Sequence, residues 1–241
     1  MYHLIGNFGA LASVKSLTAK LERAETDDTI VSHKNTIPDM SAIRRLLVIG
    51  LGNPGAEYRD TFHSAGNIVL ESLQRKFPAD LSKFESQRHG KKAVLTSIGP
   101  KYTLLQSPSV MNISGPWLAK AYKEYLVDNN LTPAEVGLVL VHDDLEEDLG
   151  AIKIRPWDRS PRGHNGVKSV HKSLQFEKQN PWARITVGIG RPVSRDPEDV
   201  AKFVLGKISK HSKAILEEKG SSALYQALAE LETQWEAERA Q

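Results

Sequence analysis

The pattern of apolar and polar positions alternates between short runs typical of buried strands and longer stretches with helical spacing. The predicted strands cover residues 46–49, 92–98, 102–106, 138–141, 152–155 and 184–189. Each run is short and rich in β-branched or aliphatic residues, which favours strands over helices. The second and third runs are joined by Gly99 and Pro100, so they predict a hairpin.

Helical segments lie between most of these strands. Ile68, Val69 and Leu73 recur at three- and four-residue spacing before Pro78, which ends the segment. Further helices are predicted over residues 114–125 and 166–174, after the N-cap Asp196, and as one long charged helix from residue 210 onward. Strands interleaved with helices predict an α/β fold, in which one mixed, twisted sheet is flanked by helices in a single domain. We expect that domain over residues 41–241, after an N-terminal extension over residues 1–40.

Composition excludes several classes of protein. The 241 residues are 40% hydrophobic, enough to bury a core. The absence of cysteine excludes a disulfide framework, a thiol nucleophile and thiolate-bound metals, and it points to a reducing compartment. The longest apolar stretch, residues 46–51, is far shorter than the roughly 20 residues of a bilayer span. We therefore expect no membrane partner.

The extension differs in charge from the rest of the chain. Residues 1–21 carry Lys15 and Lys20 and no acid, whereas four acids follow within residues 22–28. An acid-poor, serine-containing start is typical of a mitochondrial transit peptide, and a disordered extension is the alternative. We therefore expect a location in the mitochondrial matrix or the cytoplasm. We also expect a monomer. The formal charge of +3 permits a polyanionic partner without requiring one.

A glycine-rich segment follows the first predicted strand. Residues 50–55, GLGNPG, match the GxGxxG pattern of dinucleotide-binding loops. However, Pro54 interrupts the expected entry into a helix, and the acid nearest the expected position, Glu71, lies in the middle of a predicted helix. A dinucleotide-dependent oxidoreductase is therefore the weaker alternative.

His142, Asp143 and Asp144 end the predicted central strand. Imidazole and carboxylates together can bind a divalent metal. The alternative is a histidine packed in the core beside an aspartate that serves another group. Because the sequence has no HExxH segment and no second histidine-rich cluster, a metal site is the weaker interpretation.

Polar side chains follow several predicted strands, where α/β folds place their sites. They are Asn53, His63, Asn112, Asp143 and Asn165. Without a cysteine or a GxSxG segment, one histidine and one aspartate favour attack by water, with the histidine as general base and the carboxylate fixing its tautomer. Asparagines supply uncharged donors and acceptors, although a turn or cap role is more frequent for any single asparagine.

Several longer blocks occur in a fixed order along the chain. They are LVIGLGNPGAEY at residues 47–58, HSAG at 63–66, PSVMNISG at 108–115, VHDDL at 141–145, GHNGVKS at 163–169, VGIGRP at 187–192 and FVLGK at 203–207. In sequence, order and spacing they resemble the bacterial-type peptidyl-tRNA hydrolase family. With the extension, the resemblance suggests a eukaryotic member, mitochondrial or fungal.

The resemblance implies hydrolysis of the ester between the peptide and the 3′ ribose of peptidyl-tRNAs released from ribosomes, without metal or cofactor. It implies that His63 is the catalytic base, that Asp143 orients it, and that Asn53 and Asn112 hold the peptide and the reaction centre. The remaining predicted substrate contacts are Tyr58, Met111, His164 and Asn165, and the predicted phosphate contacts are Lys153, Arg155, Arg162 and Lys168. Of the latter, Lys153 and Arg155 resemble the family's phosphate-binding positions, and the other two cluster near them in sequence. The runner-up is a non-catalytic RNA-binding relative.

The chain departs from the family pattern at two places. Phe62 and Ser64 flank His63 where the family usually has arginine and asparagine. The usually glycine-rich loop before Gly163 reads RPWDRSPR over residues 155–162, which is stiffer and more basic. Such a loop favours phosphate contacts with Trp157 as a stacking surface, and a solvated loop packed by one tryptophan is the alternative.

Overall fold

The computed structural model describes residues 43–175, 177 and 179–239, so the predicted extension lies outside the described residues. Seven strands of the described part form one sheet in the order β2-β3-β4-β1-β5-β7-β6. The strands are β1 Arg45–Gly50, β2 Glu85–His89, β3 Lys92–Ile98, β4 Tyr102–Gln106, β5 Val136–Asp144, β6 Ile152–Pro156 and β7 Trp182–Gly188. The helices are α1 Ala65–Lys76, α2 Ser114–Asp128, α3 Asn165–Ser173, α4 Pro197–Leu205, α5 Lys210–Ile215 and α6 Ser221–Arg239. Short 3-10 turns cover Phe62–Ser64, Met111–Ile113 and Pro133–Glu135.

The sheet is mixed, as predicted. The four central strands β4, β1, β5 and β7 are parallel. The β2–β3 hairpin extends one edge antiparallel to β4, and β6 pairs antiparallel with β7 at the other edge. The predicted α/β class and the predicted 92–98/102–106 hairpin are therefore confirmed.

The central strand β1 is buried on both faces, which is why it reads as a continuous apolar run. Leu46 and Val48 join the core under α1 and α6, whereas Leu47 and Ile49 join the core under α2 and α3. All four side chains are fully buried. Helices therefore cover both faces of the sheet at β1.

Among the described helices none is long and apolar enough to cross a bilayer.

Two elements differ from the sequence prediction. Strand β2 was not predicted, because its sequence ESQRH is polar and only its pairing with β3 makes it a strand. The predicted C-terminal helix begins at Lys210 as expected, but it is not α-helical throughout, since a π-helical turn, Leu216–Gly220, lies between α5 and α6. This turn packs on α1, where Ser72 Oγ donates to the Glu217 carbonyl at 2.6 Å and Lys76 Nζ donates to the Glu218 carbonyl at 2.6 Å.

Candidate active site

His63 and Asp143 meet at the carboxyl end of the central strands. The turn Phe62–Ser64 sets His63 directly before α1, beside the end of β5. His63 Nδ1 lies 2.9 Å from Asp143 Oδ1, and His164 Nε2 lies 2.9 Å from the same oxygen. Asp143 is 4% exposed, so one buried carboxylate oxygen is shared by two imidazole rings.

The charge on Asp143 determines the tautomers of both rings. Burial by itself would raise the pKa of Asp143, but the neighbouring His164 and His63 hold it well below its usual range. The ionised carboxylate can only accept, so His63 Nδ1 and His164 Nε2 both carry a proton. His164 Nδ1 in turn accepts the Val167 amide at 3.3 Å and caps α3. His63 Nε2 is therefore the nitrogen left free to accept a proton.

The environment of His63 shifts its affinity for protons upward. Burial lowers the pKa of His63, but the negative charge of Asp143 and the hydrogen bond to it outweigh burial, and the net pKa is raised above 6.5. The ring lines a cavity of about 670 Å³. The site thus holds a histidine that can take a proton at neutral pH and is stabilised once it does.

Glycines allow α1 to lie close to β1, the loop after it and β5. A Cβ on Gly66 would lie 2.6 Å from the Val141 carbonyl oxygen, so only glycine lets the start of α1 rest on β5. A Cβ on Gly50 or Gly52 would lie 2.5 or 2.4 Å from the Asn67 side chain. The packing of α1 thus accounts for two glycines of the GLGNPG segment without a bound dinucleotide.

Phe62 and Ser64, the two residues beside His63 that differ from the family pattern, each make a specific contact. Phe62 stacks on Phe203 of α4, with ring centroids 4.6 Å apart. Ser64 Oγ donates to the Tyr58 carbonyl at 2.7 Å. Phe62 therefore anchors the turn to α4, and Ser64 ties it to the preceding loop.

All six residues predicted to contact substrate or to act as amide donors line the cavity with His63. They are Asn53, Tyr58, Met111, Asn112, His164 and Asn165. Asn53 Oδ1 accepts the Met111 amide at 2.9 Å, which leaves the Asn53 Nδ2 hydrogens as donors. Asn112 and Asn165 are exposed, whereas Met111 is 4% exposed and its sulfur packs where a Gly166 Cβ would stand.

The predicted phosphate contacts occupy two different environments. Lys153 and Arg155 lie on β6 and both pair with Glu147, in the case of Lys153 at 2.5 Å. Arg162 and Lys168 are exposed. Of these four residues, Arg155 and Arg162 line the cavity. The two predicted phosphate contacts that share the cavity with His63 therefore lie on β6 and on the loop before α3.

Trp157 is 2% exposed and packs edge-on against Trp182, with centroids 5.1 Å apart. It is therefore unavailable as a stacking surface, and that part of the interpretation is wrong. The packing of the loop by this tryptophan agrees with the alternative, whereas the phosphate contacts of the loop stay a prediction.

Sequence reasoning missed Arg184, which lines the cavity although it is 2% exposed. Its Nη2 donates to the carbonyls of Pro156 and Arg159 and so holds the basic loop. Burial, then the charges of Arg155 and Arg159, lowers the pKa of Arg184 to about 10. The available signal was a single charged residue inside the apolar run of β7.

His142 corresponds to the core-packed alternative. It is 3% exposed, its Nδ1 donates to the Asp143 carbonyl at 2.8 Å, and burial holds its pKa well below 6.5. The described groups best placed to hold a metal are instead His63, Asp143 and His164, whose ligand atoms lie within 4.8 Å of one another. The same atoms form the two hydrogen bonds to Asp143, so an ion there would have to replace both bonds.

Comparison with known proteins shows which family the sequence matches. The family model for peptidyl-tRNA hydrolase matches residues 47–240. A peptidyl-tRNA hydrolase from Kineococcus radiotolerans is 36% identical over 175 residues, which cover 69% of this chain and 81% of that protein. A protein from Schizosaccharomyces pombe, named as a probable peptidyl-tRNA hydrolase, is 32% identical over 204 residues, 84% of this chain and 87% of that protein.

The fold agrees as well. A crystal structure of peptidyl-tRNA hydrolase from Acinetobacter baumannii superposes with a TM-score of 0.57 at 24% identity, covering 79% of this chain and 96% of that one. At this level of identity the likeness concerns the fold alone. The resemblance indicated by the motif blocks is confirmed by the family model and by the two sequence relatives.

Proposed function

The chain belongs to the peptidyl-tRNA hydrolase family, and from this membership we propose that it hydrolyses the ester bond between peptide and tRNA with a water activated by His63. The observation that carries the proposal is the bond from His63 Nδ1 to the buried, ionised Asp143. This bond leaves Nε2 unprotonated on a ring that lines the cavity.

The proton transfers follow from that tautomer. His63 Nε2 takes a proton from water as the water oxygen attacks the ester carbonyl. Asp143 stabilises the imidazolium that forms, because its negative charge lies 2.9 Å from Nδ1–H. The ester C–O bond then breaks, and the proton on Nε2 passes to the departing 3′ oxygen of the ribose. Peptide acid and free tRNA are released, and His63 is neutral again.

Amide side chains around the ring supply uncharged donors. Asn53 keeps its Nδ2 hydrogens for the cavity because its oxygen is occupied by the Met111 amide. Asn112 is exposed at the same cavity. Such donors stabilise a developing oxyanion without titrating themselves. Tyr58 and Asn165 line the same cavity and are assigned to positioning the substrate.

The experiment that tests this function uses purified protein and N-acetyl-aminoacyl-tRNA. We expect release of the N-acetyl amino acid and free tRNA, measured by precipitation of the remaining labelled ester. Tight tRNA binding without release would favour the non-catalytic RNA-binding relative instead. Protection against thermal unfolding by NAD or NADP would revive the oxidoreductase alternative.

A second prediction concerns the basic residues around the cavity. Arg162→Ala and Lys168→Ala should each weaken binding of deacylated tRNA and reduce the slope of log affinity against log salt by about 0.7–0.9, since each removes one phosphate contact. Lys101→Ala is the control, because Lys101 precedes β4 at the opposite end of the parallel strands and pairs with Glu232. An unchanged slope in both loop variants would contradict the phosphate assignment.

Location in the mitochondrial matrix or the cytoplasm, the monomeric state and the domain boundary at residue 41 stay predictions. Comparing the localisation of the tagged full chain with that of a form lacking residues 1–40 would test the first.

A further inference from the structure

A second cavity of about 1120 Å³ lies beside the one that contains His63. It is a groove between α1 and the β2–β3 hairpin, with Ala93 and Leu95 of β3 in its wall. Both side chains are exposed, and Leu95 is 45% exposed. The groove adjoins the first cavity at Asn53, a residue that lines both.

The surface of the groove is mainly apolar. Its apolar lining includes Pro54, Ala56, Ile68, Phe84, Leu95 and Pro108. Its one acid, Glu71, accepts from Gln106 Nε2 at 3.1 Å and from Arg59 Nη2 at 3.4 Å. The carboxylate is therefore already bound within the wall. Arg59 and Arg75, which also line the groove, both pair with Glu71, and Lys83 lines it as well. The apolar part of the wall suits apolar and uncharged side chains of varied sequence.

Strand order arranges the three regions in a line. The predicted phosphate contacts lie on β6 at one edge of the sheet and on the loop and helix that follow it, the His63–Asp143 pair lies at the ends of β1 and β5, and the groove lies at β4 and β3. The proposed substrate is linear in the same sense, with RNA phosphates on one side of the ester and the peptide on the other. With the phosphates at β6 and the loop that follows it, the peptide leaves the ester in the direction of Asn53.

We propose that this groove holds the peptide of peptidyl-tRNA beyond the residues nearest to the ester. The inference rests on the proposed function and adds the site that takes long peptides. The lining along α1 runs from Ser64, which directly precedes the helix, to Arg75, and at 1.5 Å per residue this is about 16 Å. An extended peptide rises about 3.3 Å per residue, so the groove accommodates about five residues.

The test compares a short and a long substrate. N-acetyl-aminoacyl-tRNA ends near Asn53, whereas a tRNA carrying an uncharged eight-residue peptide extends into the groove. Leu95→Ala should raise KM about fivefold for the long substrate, and Ala93→Tyr, which fills the groove, about tenfold. Both variants should stay within twofold of wild type on the short substrate, which also shows that they are folded.

Ile98→Ala is the matched control. Ile98 lies on the same strand, is 41% exposed and is not part of the groove wall. Its KM for both substrates should equal that of wild type. Equal KM values for the long substrate in wild type, Leu95→Ala and Ala93→Tyr would overturn the proposal while leaving the proposed function intact.

Deacylated tRNA, used as a competitive inhibitor, tests whether the groove binds the peptide or the RNA of the substrate. Its inhibition constant should be the same for wild type and Leu95→Ala. A rise equal to the rise in KM would show that the groove holds RNA and would overturn the peptide assignment. If wild type hydrolyses neither substrate, the proposed function itself fails, and the groove proposal fails with it.

Discussion

His63→Ala is expected to lower kcat/KM for N-acetyl-aminoacyl-tRNA by about 10²–10⁴-fold, the range for loss of a general base. The variant removes the only nitrogen that the Asp143 hydrogen bond leaves free on this ring. It leaves the bond from His164 to Asp143 and the His164 cap of α3 in place, so binding of deacylated tRNA, which involves Arg162 and Lys168, should change less than twofold. Single-turnover hydrolysis and a filter-binding titration on the same preparation measure the two quantities.

His211→Ala is the matched control for this experiment. His211 is an exposed histidine on α5. Its turnover should equal that of wild type. If His63→Ala keeps turnover within threefold of wild type, His63 is not the base and the proton must be taken by another group.

Asp143→Asn is expected to lower kcat/KM by about 10²-fold or more. The neutral amide cannot stabilise the imidazolium. In the wild type both imidazole N–H groups donate to Asp143 Oδ1, whereas the NH₂ group of asparagine can itself donate to an imidazole nitrogen. Either imidazole can then adopt the other tautomer, which would turn the protonated nitrogen of His63 toward the cavity. Steady-state kinetics at neutral pH measures this loss.

The same substitution predicts a shift in the pH profile. A general base must be neutral, so kcat/KM of wild type falls as pH drops through the pKa of His63, which Asp143 raises above 6.5. In Asp143→Asn the raising charge is gone and burial of His63 remains, so the acidic limb should move to lower pH. An acidic limb that stays in place would contradict the assignment of that limb to His63.

Asp144→Asn serves as the control for both measurements. Asp144 is adjacent in sequence, ends the same strand and accepts the Glu146 amide at 2.9 Å rather than a histidine. Its kcat/KM and its acidic limb should stay close to those of wild type.

The folded positions of several elements follow from local signals in the chain. The run at residues 46–49 is apolar throughout because β1 is buried on both faces, so the four consecutive residues show this burial in the sequence itself. Pro78 ends α1, and Asp196 accepts the Glu198 amide at 2.8 Å to start α4, because each signal acts within a few residues. The motif blocks likewise identify the family and bring His63, Asp143 and the asparagines forward as candidates.

Other features depend on partners far along the chain. Strand β2 has a polar sequence and exists because β3 pairs with it. The π-helical turn before α6 is set by contacts with Ser72 and Lys76, more than 140 residues away. The sequence predicted Trp157 as an exposed stacking surface, but the ring is buried, because Trp182 from β7 packs against it.

By itself, the sequence determined the α/β fold class, most of the strands and helices, the family and the residue types of the site. Only the tertiary structure decided that one oxygen of Asp143 is shared by His63 and His164, that Arg184 holds the basic loop, and that a groove continues from Asn53. Periodicity, caps and turns are local and leave their pattern in neighbouring residues. Shared hydrogen bonds and cavities arise where distant segments meet, so they are set by the strand order and by the packing of helices on the sheet.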